Sequence, residues 1–169
     1  QRYASPYMEK FVLEALFKMN ADKEALNRIK ERYKDIVEDR TSTLPESWSY
    51  KPFSQSKNHG WSGGPLSLLM QYVAGVTPLK PNFELFSIKP QLGELTFVES
   101  EIPTHHGVIK IKVLNDDNYK ITVHVPKGTE AIVSLPKEKK KGRKVYVNSI
   151  EQKKTQPYIK SGDWIIEIR

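Results

Sequence analysis

The sequence predicts an α+β chain in two parts, helices first and an antiparallel β-sandwich after them. Three observations carry this reading. Apolar residues recur at helical spacing up to about residue 80 and alternate in period two beyond it. Turn clusters punctuate the second half at short intervals, at Gln91-Leu92-Gly93, Asn115-Asp116-Asp117-Asn118, Pro126-Lys127-Gly128 and Ser161-Gly162-Asp163. Between the helical runs, residues 41–64 follow neither period. The expected division is a helical part over 1–82 and a β-sandwich over 83–169.

The first helix opens at Ser5-Pro6, a capping serine followed by proline in the first turn. Met8, Phe11, Val12, Ala15, Leu16 and Met19 form its expected apolar face, as far as Asn20. A second helix is expected from Asp22 to about Arg40. Leu26, Ile29, Tyr33, Ile36 and Val37 line its buried side, and Lys23, Glu24, Arg28, Glu31, Arg32 and Asp35 its wet side. The short junction makes the two helices antiparallel neighbours. A third helix is expected from Pro65 to about Ala74, with Leu66, Leu69, Met70 and Val73 on one side. Gly75 stops it, and Pro78 and Pro81 begin an extended linker.

Strand-like runs follow at 86–88, 95–102, 108–114, 119–125, 131–135, 144–147 and 164–168. The run from Val108 reads V-I-K-I-K-V and that from Tyr119 reads Y-K-I-T-V-H-V, both alternating cleanly. Short strands at this spacing close into a sandwich that needs no partner. The helical half is different. Three helices with apolar faces and a long aromatic loop leave apolar surface uncovered, so this part is expected to belong to something larger.

Charge does not identify a function. The net charge is +7, but residues 1–83 carry 12 basic and 9 acidic side chains and residues 84–169 carry 15 and 11, so the excess is spread thinly. The one cluster, Lys137, Lys139, Lys140, Lys141, Arg143 and Lys144, surrounds Gly142 and reads as a solvated hairpin tip. No aromatic side chains are interleaved to stack bases, so no nucleic-acid partner is expected. No apolar run approaches the roughly 20 residues a membrane span needs, and the N-terminus lacks the apolar core of a signal peptide. The chain has no cysteine, which excludes disulfides, thiolate metal sites and cysteine nucleophiles. His105-His106-Gly107 has no zinc-site spacing and reads as a turn between strands; no metal and no cofactor are expected. Lys110, Lys112 and Lys120 read as the wet face of the sheet.

The chemistry is concentrated in the irregular stretch. Thr43-Leu44-Pro45-Glu46-Ser47-Trp48 is followed ten residues on by Asn58-His59-Gly60-Trp61-Ser62-Gly63-Gly64-Pro65. A carboxylate beside tryptophan, then asparagine and histidine at a helix start, is the equipment of a sugar site. Aromatic faces stack on the apolar side of a pyranose, polar groups hold its hydroxyls, and glycines allow close backbone approach. The same residues also read as a solvated loop glutamate and two core tryptophans.

Beyond this loop the chain reads Gly75-Val76-Thr77-Pro78, Pro81-Asn82-Phe83, Ile88-Lys89-Pro90 and Leu92-Gly93-Glu94-Leu95. Loop and string together resemble the C-terminal part of the family 78 glycoside hydrolases, the bacterial α-L-rhamnosidases. The resemblance runs over nearly the whole chain and thins after about Leu135. It implies that residues 1–82 are the closing helices of an (α/α)6 catalytic barrel and 83–169 its C-terminal β-sandwich. It also implies hydrolysis of terminal α-L-rhamnose, from glycosides or polysaccharides, with inversion. Inversion needs a general acid and a general base whose carboxyl groups stand roughly 6.5–9.5 Å apart. Glu46 matches the family's base and His59 a histidine of the rhamnose pocket. Trp48, Asn58 and Trp61 would be supporting walls. The family's acid lies upstream of the part matched here, so this chain is expected to be inactive alone, with the remainder of the barrel and a rhamnoside as its partners. Pro45 stands where many relatives carry a bulky residue. The alternative is a non-catalytic carbohydrate-binding or interaction module. A periplasmic or extracellular location is expected ahead of a cytoplasmic one.

Overall fold

Ser5 caps the first helix, α1 (Pro6–Lys18), by accepting the Met8 N–H at 3.3 Å, with Pro6 in the first turn. In this computed structural model, residues 4–38, 43–48, 56–136, 142–152 and 156–169 are described. The chain packs as two compact units, residues 1–69 and 70–169. Residues 70–82, grouped with the helices by sequence pattern, therefore pack with the strands.

In the first unit, α1 turns into α2 (Asp22–Glu38) through Asn20, whose φ of 57° lets the last carbonyls of α1 be capped by the Asn20 and Ala21 N–H groups. Residues 39 and 40, the expected end of this helix, lie outside the described part. The buried stripe of α1 is Pro6, Glu9, Leu13 and Phe17, not the Met8–Phe11–Met19 face expected from sequence. Met8 and Phe11 are about half exposed, and Met19 is 74% exposed. The cause is Glu9, which has no solvent exposure and is held by two guanidinium nitrogens of Arg28, Nε and Nη2, the second at 3.0 Å. A paired carboxylate can occupy a buried position that hydropathy alone would refuse it. On α2, Ala25, Leu26 and Tyr33 are buried, Ile29 and Ile36 half-buried, and Val37 exposed, while Arg28 leaves its expected wet side to reach Glu9.

The expected third helix is three short pieces: a 3-10 turn Gly60–Gly63, α3 (Gly64–Leu68) and one π-helical turn Leu69–Val73. Leu66, expected on the apolar side, is exposed.

The second unit is an eight-stranded sheet: β1 (Val76–Pro78), β2 (Leu85–Ile88), β3 (Phe97–Thr104), β4 (Gly107–Leu114), β5 (Lys120–Val133), β6 (Val145–Val147), β7 (Ile150–Gln152) and β8 (Tyr158–Ile168). One path runs β1-β2-β5-β8-β6-β7, and the β3-β4 hairpin joins at the first half of β5. β4 pairs with β5 from Lys120 to His124, whereas β2 pairs with it from Glu130 to Val133. Between these halves the β5–β8 register shifts, after Val125. Pro126-Lys127-Gly128 thus makes an irregularity inside one long strand rather than the expected turn. Gly128 takes φ of 80°, and buried Thr129 donates to the Pro126 carbonyl at 2.8 Å. Ser161-Gly162-Asp163 likewise lies within β8, where Gly162 pairs with Val125.

The sheet is mixed, not wholly antiparallel as expected. β2 runs parallel to β5, because the intervening β3-β4 hairpin returns the chain in its original direction. β1 and β7 are strands that the sequence pattern passes over; each has three residues. Alternation is obeyed on the strands that were clearest. Ile109, Ile111 and Val113 of β4, Ile121, Val123 and Val125 of β5, and Ile166 and Ile168 of β8 are buried in one core with Phe86, Ile88, Ala131 and Val133. Lys110, Lys112 and Lys120 lie on the outer face and pair with Glu101, Glu99 and Glu167. His105 and His106 form the β3–β4 turn, where the His106 N–H is accepted by the Thr104 hydroxyl. Of the expected basic hairpin, residues 137–141 lie outside the described part.

Candidate functional site

The irregular loop is built around two short segments lying side by side. The His59 N–H donates to the Leu44 carbonyl at 2.8 Å, and the Glu46 N–H to the Ser56 carbonyl at 2.9 Å. The Ser56 N–H approaches the Glu46 carboxylate at 3.4 Å, and the Ser56 hydroxyl accepts the Asn58 N–H at 3.2 Å. Glu46 and Asn58 are exposed and His59 half-buried. Residues 49–55, the part of the loop between the segments, lie outside the described part.

Ser62 anchors this arrangement. It is fully buried, and its hydroxyl donates to the Pro45 carbonyl at 2.7 Å, immediately before Glu46. Its own carbonyl accepts the Tyr33 hydroxyl at 3.0 Å. Burial, and secondarily the negative charge of Glu9, pushes the Tyr33 hydroxyl well above its ordinary pKa. Tyr33, Ser62 and Pro45 thus form a hydrogen-bonded support from α2 to the loop.

The two tryptophans differ in role. Trp48 turns into this support: its ring meets Tyr33 edge-on at 5.2 Å, Arg32 lies over it, and its indole N–H donates to the Ala4 carbonyl at 2.6 Å. Trp61 is 49% exposed and stands against the His59 ring at 4.7 Å. The structure therefore joins Glu46, Asn58 and His59 through the paired segments and His59 to Trp61 through their rings, while Trp48 packs on α2.

Trp61 continues into a row of rings on α1, with Tyr7 at 5.3 Å from it and Phe11 at 5.7 Å from Tyr7. These three, with Lys10, Gly60, Gly63, Gly64 and Ser67, line a cleft of about 370 Å³. Sequence reasoning missed Tyr7 and Lys10 altogether and assigned Phe11 to the core. The available signal was the four-residue spacing of Tyr7 and Phe11, one position off the stripe that is buried. Among the described residues no three His, Asp or Glu side chains cluster in a way that could hold a metal ion, and no helix is long and apolar enough to cross a membrane.

The fold and part of the sequence have counterparts. The chain is similar in structure to an alpha-L-rhamnosidase from Dictyoglumus thermophilum, with a TM-score of 0.85 and 19% identity over 95% of this chain and 20% of that one. A Streptomyces avermitilis alpha-L-rhamnosidase complexed with L-rhamnose matches 81% of this chain and 15% of its own, with a TM-score of 0.69 and 18% identity. A native alpha-L-rhamnosidase from Aspergillus terreus matches 80% of this chain and 15% of its own, at 0.64 and 23%. The chain thus spans a fifth or less of the length of these enzymes. No curated protein matches it significantly in sequence. Residues 75–149 match the family described as the bacterial alpha-L-rhamnosidase C-terminal domain.

Proposed function

We propose that this chain supplies the C-terminal, base-bearing part of an inverting α-L-rhamnosidase. The observation that carries the reading is the paired loop, in which a solvent-facing Glu46 is tied by backbone bonds to the segment bearing Asn58 and His59. In this reading Glu46 takes a proton from water as that water attacks the anomeric carbon, on the face opposite the leaving oxygen. The leaving oxygen receives its proton from an acid on the upstream part of the protein. His59 orients the rhamnose hydroxyls, Asn58 and Trp61 wall the pocket, and Trp48 serves by holding the loop against Tyr33 and Arg32. Without the acid, the chain alone does not turn over.

The helices within residues 1–69 are then the last of an (α/α)6 barrel. The exposure of Met8 and Met19 on α1 supports this, since such side chains call for covering by further helices. Residues 70–169 carry its β-sandwich, the two branches of the sheet parting at the β5 irregularity and sharing one core. A rhamnose-bearing glycoside or polysaccharide outside the cytoplasm is the substrate. The test is Glu46→Gln in the full-length protein. Hydrolysis of an aryl α-L-rhamnoside should fall by at least about a hundredfold with the fold intact, and unchanged turnover would sink the assignment. The exposed Trp61 favours a second reading, sugar binding without cleavage. A full-length protein that binds L-rhamnose saturably but cleaves no rhamnoside would select it.

A further inference from the structure

Resting on that reading, we infer that the Tyr7–Phe11–Trp61 cleft is the subsite for the sugar next to the cleaved rhamnose, and that this sugar carries a carboxylate. Three observations converge. First, the cleft lies beside His59, the proposed rhamnose contact, whose ring stands 4.7 Å from that of Trp61, which lines the cleft. Second, its wall is a row of three rings, Trp61, Tyr7 and Phe11, each about half exposed, and its floor is glycine. Half-exposed rings in a row suit the apolar face of a pyranose. The floor is kept bare for a reason: a Cβ on Gly64 would stand 2.7 Å from the Lys10 Cβ, whereas one on Gly60 would meet nothing within 4 Å. The space above Gly60 is therefore open, and the cleft's size of about 370 Å³ falls in the range of small-ligand pockets.

Third, the charge on the cleft is a cation. Lys10 lines it with its stem against Gly64, and among the described residues it has no acidic partner, whereas Lys18 one face away is paired with Glu14 at 2.7 Å. Tyr7 and Ser67 add hydroxyls and no carboxylate lines the cleft. A neutral hexose would use the rings and leave the ammonium unanswered. A uronic acid uses both, its ring on Trp61 and its carboxylate on Lys10 in a charge-assisted bond.

The test uses the full-length protein and two matched disaccharides, α-L-rhamnosyl uronate and α-L-rhamnosyl hexose, each as the methyl glycoside. The expected result is a higher kcat/KM on the uronate. Lys10→Met, which keeps the stem, should lower it about tenfold, the loss of one charge-assisted bond, and leave the neutral substrate unaffected. Equal kcat/KM for the two disaccharides, or equal loss on both with Lys10→Met, overturns the inference while the rhamnosidase reading stands. If no rhamnoside is cleaved, that reading fails separately. The cleft assignment then survives only as a binding site, shown by saturable binding of methyl β-D-glucuronide that Lys10→Met abolishes, and is overturned if that binding is absent.

Discussion

The Ser62 hydroxyl donates to the Pro45 carbonyl at 2.7 Å from a fully buried position, so a helix-start residue fixes the backbone directly before Glu46. Two separate segments meet at this bond, and it sets where the carboxylate emerges. Ser62→Ala removes the donor and leaves the Pro45 carbonyl without it. The expected loss of stability is about 1 kcal/mol, read by urea unfolding of the chain. In the full-length enzyme the same change should lower kcat more than it raises KM, since it moves the base and not the sugar contacts. A larger effect on KM would place Ser62 in substrate binding instead.

Glu9 and Arg28 make the deeper connection, a fully buried carboxylate gripped from α2. Breaking such a pair from one side strands a charge, and Arg28→Met should destabilise the first unit by about 3 kcal/mol. Replacing both partners, with Glu9→Leu and Arg28→Met together, should recover most of that loss. Thermal unfolding of the two variants checks it. A double variant no better than Arg28→Met would mean that the pair itself, rather than relief from an unpaired charge, holds α1 to α2.

This pair also explains where the sequence was opaque. Hydropathy put the buried face of α1 on Met8, Phe11 and Met19, since it cannot foresee a carboxylate buried by an arginine nineteen residues on. The strands from Val108 and Tyr119 were readable because alternation needs no distant partner. The continuation of β5 through Pro126-Lys127-Gly128 was not, because a bulge and a turn use the same residue types. Within the site, the kinds of residue in the loop suggested a sugar, but only the packing separates Trp48, turned onto Tyr33, from Trp61, turned to solvent.

Tyr33 carries a pH prediction. Its hydroxyl is held above the ordinary tyrosine value by burial and then by Glu9, and it donates to the Ser62 carbonyl. With the folded pKa raised, the unfolded chain loses its proton first, at about pH 10. Stability is therefore full below that pH and declines as pH rises above it, toward the folded pKa. Melting temperatures of the chain between neutral pH and pH 11 should show this decline. Tyr33→Phe should be less stable at neutral pH by about 1 kcal/mol and have a shallower alkaline slope. An unchanged slope would assign the alkaline loss to other groups.

Gly75 opens the β unit at a φ of 78°, and its carbonyl accepts the Lys89 N–H at 2.8 Å just beyond the β1–β2 pairing. A Cβ there would lie 2.3 Å from the Lys89 carbonyl carbon and the Pro90 nitrogen, a clash with backbone that no rotamer relieves. Left-handed backbone alone costs an alanine about 1–2 kcal/mol, and the clash adds to it by forcing β1 from β2. Gly75→Ala should therefore destabilise the second unit by more than that figure, with hydrogen exchange accelerated at Lys89 and Ile88 before the β4–β5–β8 core. The neighbouring Thr77→Ala, on the same strand but without strain, serves as the control. Its hydroxyl donates to the Gln71 carbonyl at 3.2 Å, so its loss should cost about 1 kcal/mol. Equal effects of the two substitutions would show that β1 is held by its hydrogen bonds and not by the close approach at Gly75.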